Sequence, residues 1–423
     1  MIKTNGLLFF LLTCMQFAFA QQSTLVYDNH IYLPQIKTVQ CYNAQKEQSV
    51  PVIALKSGEQ LLFSFDDLNG GSKNYWYAIE HCTSDWQPSR ISTLDYVESF
   101  AEDRIVDYKY SFATLQKYTH YNLRLPNEQV RPKISGNYLL KVYLDGDQKK
   151  LVLTQRFYVL DNKVSVGVEV TPSLQVPERS YNQKINFSIF HKNLAIQNPY
   201  IDVKAVVMQN FDPQTAITNT KPSFIRTNEL VYNDLNTNDF KGGNEFRKFD
   251  IRSLRYTADH VQNLEKDSIN TAVLFPDITA NAQKYTNQFD ENGNFYIRNQ
   301  DGRDDNTESD YVKVFFTLHA QAPATPGDAY VVGRFNNYIL SEENKLVYED
   351  SRKKFYASLL FKQGLYDFKY VWKDRETGKV NESIFEGSFF ETENNYQVFV
   401  YFRKPGSRWE ELIGYTMINT VKR

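Results

Sequence analysis

Cysteine is scarce in this chain of 423 residues, with three in all, and the six histidines at positions 30, 81, 120, 191, 260 and 319 stand singly. No Cys/His pair sits at metal-ligand spacing, and neighbours such as His81 and Cys82 would point to opposite faces of a strand, so no zinc-type site is expected. Nucleotide-binding glycine loops, a G-x-S-x-G elbow and an H-E-x-x-H pair are all missing. The formal charge of −2 on 48 basic and 50 acidic residues argues against a nucleic acid or an anionic bilayer held by bulk charge. Long apolar runs are confined to Gly6 to Phe19, which is too short to cross a bilayer. Helix-period segments of any length are absent as well, which leaves little room for an α-helical core.

Lys3, the apolar run and Ala18-Phe19-Ala20 before Gln21 form the pattern of a secretory signal peptide covering residues 1–20. Leu11-Leu12-Thr13-Cys14 is a poor lipidation site, so a soluble exported protein is expected. Cys41 and Cys82 then remain. Both lie in strand-like settings and are expected to be free buried thiols rather than a disulfide.

What the chain does have is aromatic carbon: 29 Tyr and 30 Phe, which suit half-buried pleated surfaces. An all-β chain of tandem antiparallel β-sandwich, immunoglobulin-like domains is the expectation. The segment 21–161 carries a central strand at Asn74 to Cys82. It closes with a hairpin in which Tyr138, Leu140, Val142 and Leu144 alternate, Asp145-Gly146-Asp147 turns, and Leu151 to Val159 returns. In the segment 162–321, Val164 to Val170, Ile185 to Ile189 and Ile201 to Val207 alternate strictly, and Asn292-Gly293 is a strong turn signal. The Pro-rich stretch Ala322 to Gly327 reads as a linker to a third unit, 322–423, with strands at Phe355 to Phe361, Tyr366 to Trp372 and Tyr396 to Phe402.

Two stretches invite chemistry. Gly242 to Tyr256 mixes Glu245, Arg247, Lys248, Asp250 and Arg252 into a strand-like run, with Glu245, Arg247, Phe249 and Ile251 on one face. A paired-charge strand holding the middle sandwich together is the preferred reading, and a recognition surface the alternative. Asp301 to Asp310 is acidic but lacks the alternating oxygen spacing of a calcium loop, and Arg303 opposes a cation there. No catalytic residue, cofactor site or metal site is assigned.

Val331 to Tyr338 followed by Gly364 to Trp372 resembles the starch- and glycogen-binding modules attached to glycan-active enzymes, although Tyr338 stands where those modules typically carry Trp. That likeness makes periplasmic glycan binding the second functional reading. A wider resemblance runs through Phe65 to Leu68, Ile79 to Trp86, Tyr118 to Tyr121, Ser135 to Tyr138, Gly243 to Asp250, Val331 to Asn336 and Glu386 to Asn394. In that order these stretches resemble the plug-protein family of the type IX secretion system, the protein export route of Bacteroidetes. The resemblance implies a periplasmic, non-enzymatic protein that docks on the outer-membrane translocon barrel and seals its periplasmic mouth when the channel is idle. It implies no nucleic-acid partner and no direct insertion into the membrane.

Overall fold

The computed structural model describes residues 24–421, so the expected signal peptide lies outside the described residues. Strands dominate, and each four-residue helical piece (Thr93–Tyr96, Pro199–Asp202 and Ser383–Glu386) is a single turn. The aromatic and β-branched content is therefore spent on mainly antiparallel sheets, two of which also hold parallel pairs, and these stack in pairs around three main cores.

In the first sandwich, Gly136–Leu144 lies between Tyr75–Cys82 and Leu151–Leu160, antiparallel to both, in unbroken register with the former and with a shift between Val142 and Tyr143 against the latter. The hairpin turn places Asp145 and Gly146 in the left-handed region, at φ 56° and 72°, as an Asp-Gly turn favours. The facing sheet runs Ile36–Asn43, Leu61–Asp67, Thr119–Leu125 and Asp107–Tyr110. Phe63, Phe65, Tyr75, Tyr77, Tyr138 and Phe157 fill the space between them.

The second sandwich opens with Ser165–Pro172, Asn182–Phe190, Glu229–Tyr232 and Phe224–Arg226 in one sheet. Its other sheet is Ile217–Asn219, Val203–Gln209, Asn395–Phe402 and Glu411–Asn419, so two strands from the far end of the chain complete a core begun near residue 164. The expected boundary at 321/322 does not follow these sheets. Tyr311–His319 pairs with Lys354–Lys362 along nine residue pairs, which makes Ala322 to Gly327 a connection inside the third sandwich rather than a joint between units.

That third sandwich is inserted between Asp239–Lys241 and Asn395–Phe402. Gly364–Asp374 is its central strand, bonded to Arg247–Asp250, Phe295–Ile297, Gly327–Val332 and Val380–Asn381. At Gln363 the chain passes from one sheet to the opposite one, since Lys354–Lys362 and Gly364–Asp374 have different strand partners. Asn292-Gly293 makes its tight turn with both residues at positive φ, but the following strand Phe295–Ile297 pairs with Gly364–Asp374 instead of forming a local hairpin.

Candidate functional site

The charged stretch lies in the third sandwich, not the middle one where the sequence placed it. Phe249 and Ile251 point into the core, and Arg247 turns toward two buried carboxylates. Its Nη1 donates to Asp277 Oδ1 at 2.7 Å, its Nε to both oxygens of Glu386 at 3.1 Å, and its Nη2 to the carbonyl of Ile278 at 2.8 Å. Tyr370 lies under the guanidinium at 5.4 Å and donates its hydroxyl to Asp277 Oδ2 at 2.8 Å. Burial alone would raise Asp277, but His260 and Arg247 outweigh it and hold the carboxyl below its usual range. The same two carboxylates outweigh burial at Arg247 and lift its guanidinium further into the charged form. Arg252 clasps Asp250, Lys248 reaches Asp259 at 3.2 Å, and Glu245 accepts from the Tyr285 hydroxyl and from the Glu393 amide. These charges are paired within the protein, and the arrangement is a structural network.

The other stretches singled out in the sequence sit at the joints between sandwiches. Asp66 is fully buried, accepts from His120 Nδ1 at 2.6 Å and from the Tyr311 hydroxyl at 2.7 Å, and meets Lys362 Nζ at 2.7 Å. Lys362 also donates to the carbonyl of Asn306 and lies 4.3 Å over the Tyr118 ring. Burial opposes the Asp66 charge, yet Lys362 and His120 together keep its carboxyl below the ordinary range. This one cluster bolts the first sandwich to the third. A second joint has Arg334 donating to the carbonyl of Gln48 and to Asn294 Oδ1, with its guanidinium 5.3 Å over Phe211, so residues of all three sandwiches meet there.

Between the first and second sandwiches, Val50, Tyr158, Val206, Met208, Phe399 and Leu412 form a small apolar core of their own. Glu410 spans the same joint, accepting from the Ser84 amide at 2.7 Å and pairing with Lys204 at 2.7 Å. Tyr401 donates to Asn137 across it, and Arg156 stacks on Trp86 at 4.4 Å. Gly136 carries φ +146°, and a side chain there would collide with His81, whose ring is held by Ser89 and the carbonyl of Ser135. Asn394 ties Gln183, Asn210 and Gly242 together on the second sandwich.

Cross-joint partners such as Lys362, Tyr311, Arg334 and Glu410 carry no mark of their role in the sequence. A lysine at the end of an alternating strand normally reaches solvent, and only the approach of Asp66 from another sandwich makes Lys362 an interior residue.

Cys41 and Cys82 are free thiols, and burial pushes both up to about 12, far from the reactive thiolate. The acidic loop spends its oxygens on backbone amides: Asp301 accepts from Leu254, Glu308 from Arg303, and Asp310 from Leu115 and Gln116. Among the described residues no group of three His, Cys, Asp or Glu is placed to hold a metal ion. Tyr366, Phe368, Tyr370 and Trp372 all belong to the third core, and Tyr338 is buried with its hydroxyl on the Asn210 carbonyl, so these rings offer no outward stacking platform for a sugar.

Residues 36–161 match the family model described as the type 9 secretion system plug protein 1st domain. The chain belongs to the type IX secretion system plug protein family. A crystal structure of a hypothetical protein from Parabacteroides merdae ATCC 43184 is similar along nearly the whole chain. It is 31% identical, with a TM-score of 0.90, and the match covers 94% of this chain and 100% of that one. None of the curated proteins matches. The matched plug domain is the first sandwich, the unit whose Asp66, Gln48, Ser84 and Asn137 make the joints described above. A plug-family chain thus has its first domain fastened to the rest by buried polar contacts, and its family is a secretion-system one rather than an enzyme family.

Proposed function

We infer that this plug-family protein acts in the periplasm without catalysis, docking as one rigid body on the periplasmic end of the type IX outer-membrane translocon barrel and sealing the channel when it is idle. The match of residues 36–161 to the plug domain carries this reading. The physical build supports it. A stopper must resist deformation, and three sandwiches joined by the Asp66–Lys362 cluster, the Arg334 joint and a shared apolar core are held in one arrangement. Near-neutral charge suits reversible docking through shape and aromatic contact rather than through a strong long-range field. No helix among the described residues is long and apolar enough to cross a membrane. The test is capture from detergent-solubilised outer membranes with the tagged full chain as bait. Recovery of the translocon barrel is the expected result, and its repeated absence from a preparation that contains the barrel overturns the reading.

A further inference from the structure

Asp107–Tyr110 is exposed at every residue although two of its four side chains are tyrosines. It ends its sheet, and among the described residues no strand pairs with its outer edge. The phase of the ladder is set by Ser111, whose amide donates to the carbonyl of Tyr118 at 2.9 Å. Antiparallel pairs alternate, so Lys109 bonds inward to His120, and the N–H and C=O of Tyr108 and Tyr110 point outward. Of the devices that protect an edge, this strand has shortness and the charges of Asp107 and Lys109, but neither a proline nor a bulge, so its outward backbone groups can still take a partner strand whose charge suits Lys109.

The edge is also held stiffly and surrounded by apolar surface. The Ile105 amide donates to the Tyr75 carbonyl, the Phe112 amide to the Thr307 carbonyl, and the Leu115 amide to Asp310, so both ends of the segment are pinned. Val106 and Phe112 are nevertheless 73% and 71% exposed, and the Tyr108 and Tyr110 rings contact each other at 5.8 Å. Aromatic side chains presented in the open by a fixed backbone are what a docking edge requires, because little ordering is left to do on binding.

We propose that Asp107–Tyr110 is the edge by which this protein takes up an extended segment of the translocon as an added antiparallel strand. This rests on the docking reading above and names the surface and the chemistry of the partner segment. Two apolar side chains of the incoming strand meet Tyr108 and Tyr110, and an acidic one between them meets Lys109. Lys109 is available for that contact, since its one ion pair among the described residues, to Asp304, spans 3.9 Å between two solvent-facing groups. The same charge disfavours a second copy of this chain. Symmetric antiparallel pairing about the outward residues sets Tyr108 against Tyr110 and Lys109 directly against Lys109.

The experiment uses the full chain as bait for solubilised outer membranes, comparing wild type with Tyr110→Pro, Lys109→Glu and, on the free edge of the second sandwich, Ile225→Pro. Proline at 110 removes an outward donor and leaves the inward ladder intact. Loss of that hydrogen bond, or reversal of the charge, is expected to lower barrel capture about tenfold, with melting temperatures unchanged. Ile225→Pro is expected to capture like wild type. If wild type recovers the barrel and folded Tyr110→Pro and Lys109→Glu recover it equally, the edge is not the docking surface and the docking reading stands. Failure of wild type itself overturns both. A concentration-dependent dimer in sedimentation that Tyr110→Pro abolishes assigns the edge to a second copy and overturns the proposal.

Discussion

Asp367 carries the clearest pH signature of any single residue. It is buried, its Oδ2 accepts from the amides of Glu291 and Gly293, and its Oδ1 has no hydrogen-bond partner among the described residues. Burial, with Asp290 adding to it, pushes the carboxyl up to about 8. A carboxyl raised this way holds a proton in the folded state that the unfolded state has already lost, in the window from about 4 to about 8. Stability therefore falls as pH rises through that window. Asp212, raised to about 7 by burial, contributes a slope of the same sign. Asp367→Asn keeps an oxygen for the two amides and removes the titration. At pH 9 the variant is expected to exceed wild type by on the order of 5 kcal/mol, and at pH 4 to match it within error. Urea denaturation at both pH values checks this, and an equal difference at the two would rule out titration as the cause.

At the scale of one element, the strand Arg247–Asp250 shows how a run of charge becomes interior structure. Phe249 anchors it in the core beside Tyr366 and Phe316, and this fixes Arg247 between Asp277 and Glu386. Removing the guanidinium leaves the buried Asp277 and Glu386 without their shared counter-charge, with only His260 beside Asp277, a situation that costs about 3–5 kcal/mol. Arg247→Ala is accordingly expected to lower the chemical-denaturation midpoint strongly. Arg247→Lys should recover only part of the loss, because an ammonium cannot match the two-carboxylate fork. An Arg247→Ala variant that stays as stable as wild type but loses the barrel would assign the strand to the interface instead.

For the whole molecule, the decisive feature is that Asn395–Phe402 and Glu411–Asn419 close the second sandwich, a core that begins near residue 164. A chain ending after residue 391 loses those strands and uncovers Val203, Val207, Ile185 and Ile189 in a sheet far away in sequence. Limited proteolysis of that truncated chain should cut first within 164–240, while intact protein resists there. Protection equal to the intact chain would mean that the second sandwich stands without its last strands. The joints also make a single cooperative transition the expected thermal behaviour of the intact protein, since the Asp66–Lys362 cluster cannot survive separation of the sandwiches it links.

Much of the strand content was legible because it is a local property. Period-2 alternation at Val164 to Val170, at Tyr138 to Val142 and at Phe355 to Phe361 states which side chains face inward whatever lies opposite them. Scarce cysteine and scattered histidine directed attention away from metal and thiol chemistry, and the ordered stretches from Phe65 to Asn394 pointed to the plug family that the 36–161 match shows. Strand partnership is different. Val207 pairs with Val398 and Asp66 meets Lys362, contacts set by the closure of long loops, and alternation names neither partner. For that reason the boundary at 321/322 followed a Pro-rich stretch that proved to be a connection within one sandwich, and Arg247 was placed in the wrong core. The sequence by itself determined an all-β, aromatic-rich chain of a secretion family. Only the tertiary structure decided that its conspicuous charges are paired inside the third sandwich and that unmarked residues such as Lys362 bolt the sandwiches together, because whether a charge faces water or a counter-ion depends on which distant strand packs over it.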